Sequence, residues 1–437
     1  MMKTLNLFKF GGVIFAFLLA LMSASPGTAG HPVQENVTGK LQETTDLEIW
    51  VQWSPLPPSV AQAYDAYETV HPEIALTFYT PVDLITELDA AFIAGTAPDI
   101  IVWEAEGNLG GMAMQGQLLD LRSLGITEAS LAATFGELAA SAVNWHYGLY
   151  GIPVSTTVIA LVYNKATVSS EYFPAEPLNF VDLTNKAEEF FDDTGKYLIC
   201  NQGMGIGSVD SYHVAPIFFG FGVPEYIDSA GTVYANTTEA IQAGTWIDNF
   251  HNLSNDINSY GECQNRLISG DVGMWWTGPW ALSELSNQGV DYGIIPMGKP
   301  FNKVMVQMIT SATIARGTAN EALALIQTIA NEENSIQFAL VDKYVPANQA
   351  ALMDPAVQAI PEIKAFGDAA QISVPFGNAP FHYCQWAPIG SAVERIWSGI
   401  QTPEVALNQA QNEIELCVQP ILELMFPYHL HIPLITR

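Results

Sequence analysis

Between residues 46 and 103 the chain alternates strand-like and helix-like patterns, and this alternation constrains the fold more than any other feature. DLEIWVQW (46–53) has the alternation of a strand, and residues 58–71 carry Val60, Ala63, Tyr64 and Tyr67 at helical spacing. Residues 74–79 predict a second strand and 84–94 a second helix, stopped by Gly95. DIIVW (99–103) is a continuous apolar run, as in strands buried on both faces of a parallel sheet. Strand, helix, strand, helix, strand implies right-handed crossovers and a doubly wound α/β unit. Further on, two strand-like runs flank Gly-Ile-Pro within 148–165, and residues 312–316 read as another strand. Helices are expected at 182–192, 238–252, 320–330, 391–399 and 405–425. A chain of 437 residues is too long for one ordinary core, so two lobes are expected.

The chain carries 15 Lys and Arg against 45 Asp and Glu, a formal net charge of -30. Nucleic acid and anionic membranes repel such a surface, so neither is an expected partner. Solubility in a salty or acidic setting accounts for the acidity; a cationic ligand such as a polyamine is the alternative. Lys3 and Lys9 precede the apolar run 11–22 and small residues up to Ala29, which reads as a secretory signal over 1–29. That run is too short to span a bilayer, and the leader lacks the Cys of a lipid anchor. Residues 31–45 read as a disordered lead-in.

Four cysteines, Cys200, Cys263, Cys384 and Cys417, allow two disulfides in an exported chain, with three pairings. Cys200–Cys263 and Cys384–Cys417 are expected because each pair lies within one continuous segment; free buried thiols are the alternative. His429 and His431 have no third ligand nearby, so no metal site or cofactor is expected.

GDVGMWWTGPWALSEL (270–285) crowds Trp275, Trp276 and Trp280 around a Thr-Gly-Pro turn. Strand alternation sends Trp275 and Trp276 to opposite faces, so at least one packs in a core. The Gly-Pro turn leaves Trp280 to face a ligand.

With GTAPDIIVWEAEGNLGGMAMQGQLLDL (95–121) and YGIPVSTTVIALVYNK (150–165) preceding it, this stretch completes a recognisable series. The chain resembles the extracellular solute-binding proteins of bacterial ABC importers, in the carbohydrate-binding group that includes maltose-binding protein. The likeness runs from about residue 47 to 414. It implies an α/β fold of two lobes, the type II periplasmic-binding-protein fold, with a hinge and an interlobe ligand cleft. Crossings near 157, 301 and 350 would give lobe one as 46–157 plus 302–350 and lobe two as 158–301 plus 351–437. The implied partners are a carbohydrate and the ABC permease subunits of a membrane importer. A monomer without catalysis is expected, at the periplasmic or extracellular face of the cell membrane.

A sugar needs flat aromatics for its C–H faces and acids or amides for its hydroxyl rim. The resemblance implies such roles residue by residue. Trp103 packs near the sugar and Glu106 accepts from its hydroxyls, while Gly107 replaces a family Arg. Thr157 stands where the family has an acid. Asp210 and Tyr212 match an acid and an aromatic of the second lobe, with His213 next to them in place of another aromatic. Trp280 and Trp386 match stacking tryptophans, and Gly390 replaces a second Arg. At the first strand end Trp53 lies where the family has an Asp-Lys pair. The departures lose charge while the tryptophans persist, which points to a neutral, maltose-like di- or oligosaccharide rather than a phosphate ester.

A polyamine or another small solute on the same fold is the first rival. A secreted carbohydrate-active enzyme is the second, but a glycosidase needs carboxylates roughly 5–10 Å apart across its substrate. Glu104 and Glu106 are too close in sequence for that, and no GxSxG or HExxH occurs.

Overall fold

The alternating segment folds as its pattern requires. In the computed structural model, β1 (Thr45–Val51), β2 (Ile74–Tyr79) and β3 (Ile100–Glu104) lie parallel, with β1 between the other two. The structure describes residues 44–425 apart from 147, 176–178, 208–209 and 297. The segment 1–29 expected to be a secretory signal, most of the 31–45 segment and the His429/His431 pair lie outside the described residues. The helix Pro58–Val70 begins on Pro58, whose fixed φ suits a first helical turn, and buries Val60, Ala63, Tyr64 and Tyr67. The helix Leu84–Ala94 is capped by the Asp83 side chain, which accepts from the Thr86 N–H. It ends at Gly95, whose φ of 72° lies in the left-handed region that glycine enters without a Cβ clash.

The first sheet is completed by strands from far along the chain, in the order Val345–Pro346, Ile152–Thr157, Phe301–Ile309, β3, β1, β2. The long strand Phe301–Ile309 runs antiparallel to Ile152–Thr157 and to β3, pairs at its start in parallel with Val374–Pro375, and is buried throughout. A second sheet has the order Tyr292–Ile295, Ala160–Asn164, Val272–Thr277, Tyr197–Cys200. The chain thus leaves the first sheet between Thr157 and Ala160 and returns to it between Ile295 and Phe301. Each sheet has its own core. One is built on Leu47, Ile49, Ile101 and Val306; another, on one face of the second sheet, on Leu161, Ile199, Phe218 and Trp276. The opposite face of the second sheet packs Val162, Val272, Trp275 and Leu285.

Residues 312–316 do not form a strand. Ala312–Arg316 is a short helix closed by Gly317 at φ 74°. The cause is long-range: Asp99, 1% exposed at the start of β3, accepts from Arg316 Nη1 at 3.0 Å, Thr318 Oγ1 at 2.6 Å and the Glu48 N–H at 3.0 Å. A helical turn brings Arg316 and Thr318 back onto that buried carboxylate, and no local pattern in five residues carries this information.

Cys200 is bonded to Cys263, tying the second sheet to the helix Tyr260–Ser269. Cys384 is bonded to Cys417, tying the turn before Trp386 to the helix Pro403–Met425. Closing the 33-residue separation between Cys384 and Cys417 limits the unfolded chain. Replacing both by Ser is expected to cost about 3 kcal/mol, read as a lower denaturant midpoint. The disulfide would be shown to be dispensable by an unchanged midpoint.

Candidate functional site

One group of the expected site residues gathers at a helix start. Asp210 caps the helix Ser211–Gly220, accepting from the Tyr212 N–H at 2.8 Å and the His213 N–H at 3.3 Å. Its other oxygen pairs with His213 Nδ1. Burial would raise the Asp210 carboxyl, but the His213 imidazole and these N–H donors outweigh it and hold it below the usual carboxylate range. The His213 ring meets the Trp280 ring edge to face at 6.0 Å between centroids, with Tyr212 at 6.4 Å. His213 Nε2 is buried and has no hydrogen-bond partner among the described residues.

Trp275 and Trp276 are both fully buried, in the cores on opposite faces of the second sheet. Trp280 is 37% exposed. Its ring folds back over Gly278, where an added Cβ would lie 2.1 Å from a ring carbon, so this turn requires glycine for close approach.

A second cluster gathers around Lys303, in the long strand. Its Nζ lies 2.8 Å from Glu104 Oε2 and 4.7 Å from the ring centroids of both Tyr212 and Trp386. Tyr212 Oη donates to the Thr157 carbonyl at 3.1 Å, so Thr157 takes part through its backbone. Glu106 lies beneath, 6% exposed; its Oε1 accepts from the Val304 N–H at 2.6 Å, while its Oε2 is buried without a partner among the described residues. Burial, then the nearby Glu104 charge, pushes the Glu106 carboxyl up to about 8. Burial opposes charge on Lys303 as well, but Glu104 and then Glu106 more than compensate and raise its pKa. The cluster is thus a buried ion pair of Lys303 with Glu104, above a Glu106 whose carboxyl is raised toward its neutral form.

The candidates thus fall into groups. Glu106, Thr157, Tyr212 and Trp386 meet at Lys303; Asp210, Tyr212 and Trp280 meet at His213. Trp103, half-buried, lines an open cavity of about 650 Å³ with Val82, Thr86, Asn108, Gln115 and Tyr383. Trp53 stands apart, stacked on Tyr344 at 6.4 Å and packed against the first core. Lys303 is a buried cation that the sequence reading did not single out. A lysine inside a strand otherwise fit for complete burial, FNKVMVQMI, was the available signal. Tyr383 and Tyr344 left no comparable trace. Among the described residues no cluster of His, Cys, Asp or Glu could hold a metal ion, and no helix is long and apolar enough to cross a membrane.

Comparison with known proteins adds to this geometry. The family described as bacterial extracellular solute-binding proteins matches residues 61–365. A maltotriose-binding protein of Pyrococcus abyssi is 24% identical over 363 residues, covering 79% of this chain and 77% of its own. A galactooligosaccharide-binding protein of Bacillus subtilis is 24% identical over 405 residues, covering 90% and 94%. Among solved structures, a cyclo/maltodextrin-binding protein complexed with maltotetraose superposes with a TM-score of 0.72 at 20% identity, covering 86% of this chain and 97% of its own. The GacH receptor of Streptomyces glaucescens, solved unliganded and with acarbose, gives 0.74 at 17% identity, covering 86% and 99%. These likenesses establish the two-lobed α/β fold of the periplasmic binding proteins.

Proposed function

The chain belongs to the bacterial extracellular solute-binding proteins, and from that premise we propose that it captures a neutral di- or oligosaccharide between its lobes. It hands this ligand, as a monomer and without catalysis, to the permease of an ABC importer outside the cell membrane. The observation that carries the reading is the pairing of the buried charges around Lys303 and His213. Lys303 neutralises Glu104, Glu106 keeps its proton, and Asp210 is paired with His213. Trp280, beside Tyr212 and His213, and Trp103, in the cavity with Tyr383, are aromatics suited to the C–H faces of a sugar. The relatives named for maltotriose and galactooligosaccharides, and the neighbour holding maltotetraose, support the same ligand class.

A polyamine is disfavoured by the same pairing, because an ammonium of the chain itself already occupies the carboxylate it would seek. A thermal-shift screen separates the two. A neutral oligosaccharide at one hundred times its Kd is expected to stabilise the fold by about 2.7 kcal/mol, and spermidine by nothing. Stabilisation by spermidine with no response to sugars would overturn the proposal.

A further inference from the structure

Four aromatic residues offer themselves to a sugar, yet they are not equally open. Trp280 is 37% exposed and Trp103 faces an open cavity. Tyr212 and Trp386 instead carry the Lys303 ammonium over their rings, 4.7 Å from each centroid, with Phe376 at 5.9 Å. A sugar stacks at about that height above an aromatic face, so the ammonium takes the volume a sugar ring would need. Lys303 is 9% exposed and held by three kinds of contact: the ion pair with Glu104, the two close ring faces and the flanking strands. A desolvated cation over aromatic faces is held more firmly than an exposed one, and its anchor on Glu104 prevents it from swinging into solvent without stranding a carboxylate.

We propose that Lys303 is a specificity-determining residue: tied to Glu104, its ammonium covers Tyr212 and Trp386 and ends the sugar site there, limiting the length of oligosaccharide bound. This rests on the sugar reading above. The open platforms Trp280 and Trp103 bind the sugar, and the covered pair forms the end wall. Lys303 thus provides on the protein side what a further sugar ring would otherwise provide, apolar methylenes and a polar head over the two faces.

The test is a calorimetric ladder of malto- and galacto-oligosaccharides, from disaccharide to hexasaccharide, against the wild type, E104Q/K303A, K303A and K303M. The double variant removes wall and counter-charge together, so no unpaired carboxylate remains. K303M keeps an unbranched chain over the rings. In the wild type, affinity is expected to stop rising at a fixed length. In E104Q/K303A it is expected to rise by one further unit, by about tenfold, the scale of one added ring contact. K303A gives the same readout if the double variant folds poorly, and K303M is expected to keep the wild-type cut-off. The same cut-off in the wild type and both alanine variants would overturn the inference. So would a uniform loss at every length, which would make Lys303 a direct ligand contact. Absence of binding by the wild type across both ladders would overturn the sugar reading itself, a different result from an unmoved cut-off.

Discussion

Trp276→Ala is expected to cost the fold about 3–5 kcal/mol, whereas Trp280→Ala, four residues on, should leave stability nearly unchanged and weaken sugar binding roughly 10- to 100-fold. The contrast follows from one strand and the turn after it. Trp276 is fully buried among Phe218, Ile199 and Leu161, where removing an indole leaves a cavity that the sheet cannot close. Trp280 is more than a third exposed beside His213 and Tyr212, so its removal leaves no core cavity and deletes a surface of the proposed sugar site. Chemical unfolding and calorimetric titration of the two variants read the two effects separately. If Trp280→Ala unfolded the protein, or left affinity intact, Trp280 would be a packing residue and not a platform.

Stability should fall as pH rises toward 8, and Glu106→Gln should remove most of that slope. Glu106 has an ordinary carboxyl value of 4.5 when unfolded and about 8 when folded. The folded chain therefore keeps a proton that the unfolded chain releases, so the contribution is complete below about 4.5 and is lost as pH passes through the folded value. The difference is on the order of 5 kcal/mol. Below this window the sign reverses, because Asp83, Asp120, Asp210 and Asp228 are held below the usual carboxylate range and lose their stabilising interactions in acid. Self-repulsion of so acidic a chain also grows with pH, so the difference between wild type and Glu106→Gln isolates the one carboxyl. Urea midpoints across this range give the measurement; parallel curves for the two proteins would show that Glu106 ionises normally.

Much of the architecture was legible in the chain because local signals agreed with the fold. Asp83 and Gly95 bracket a helix, Pro58 opens one, and the alternation of Trp275 with Trp276 holds in the sheet, although both were taken up by cores. What stayed hidden depends on partners distant in sequence. The 312–316 segment reads as a strand until Asp99 is known to lie beneath Arg316. The role of Lys303 stays hidden until the strand around it proves to be central, with Glu104 at its side and its amine over the rings of Tyr212 and Trp386. Trp386 was expected as an aromatic of the site, but nothing in the sequence showed that Lys303 lies over its ring.

The central claim is that the cleft holds a neutral oligosaccharide. Titration calorimetry of the chain with maltotriose, a galactooligosaccharide and spermidine tests it most directly. The account predicts saturable binding of at least one of the two sugars at one site per chain, in the micromolar range or tighter, with no heat from spermidine. Spermidine binding at that stoichiometry, with neither sugar bound, would contradict it.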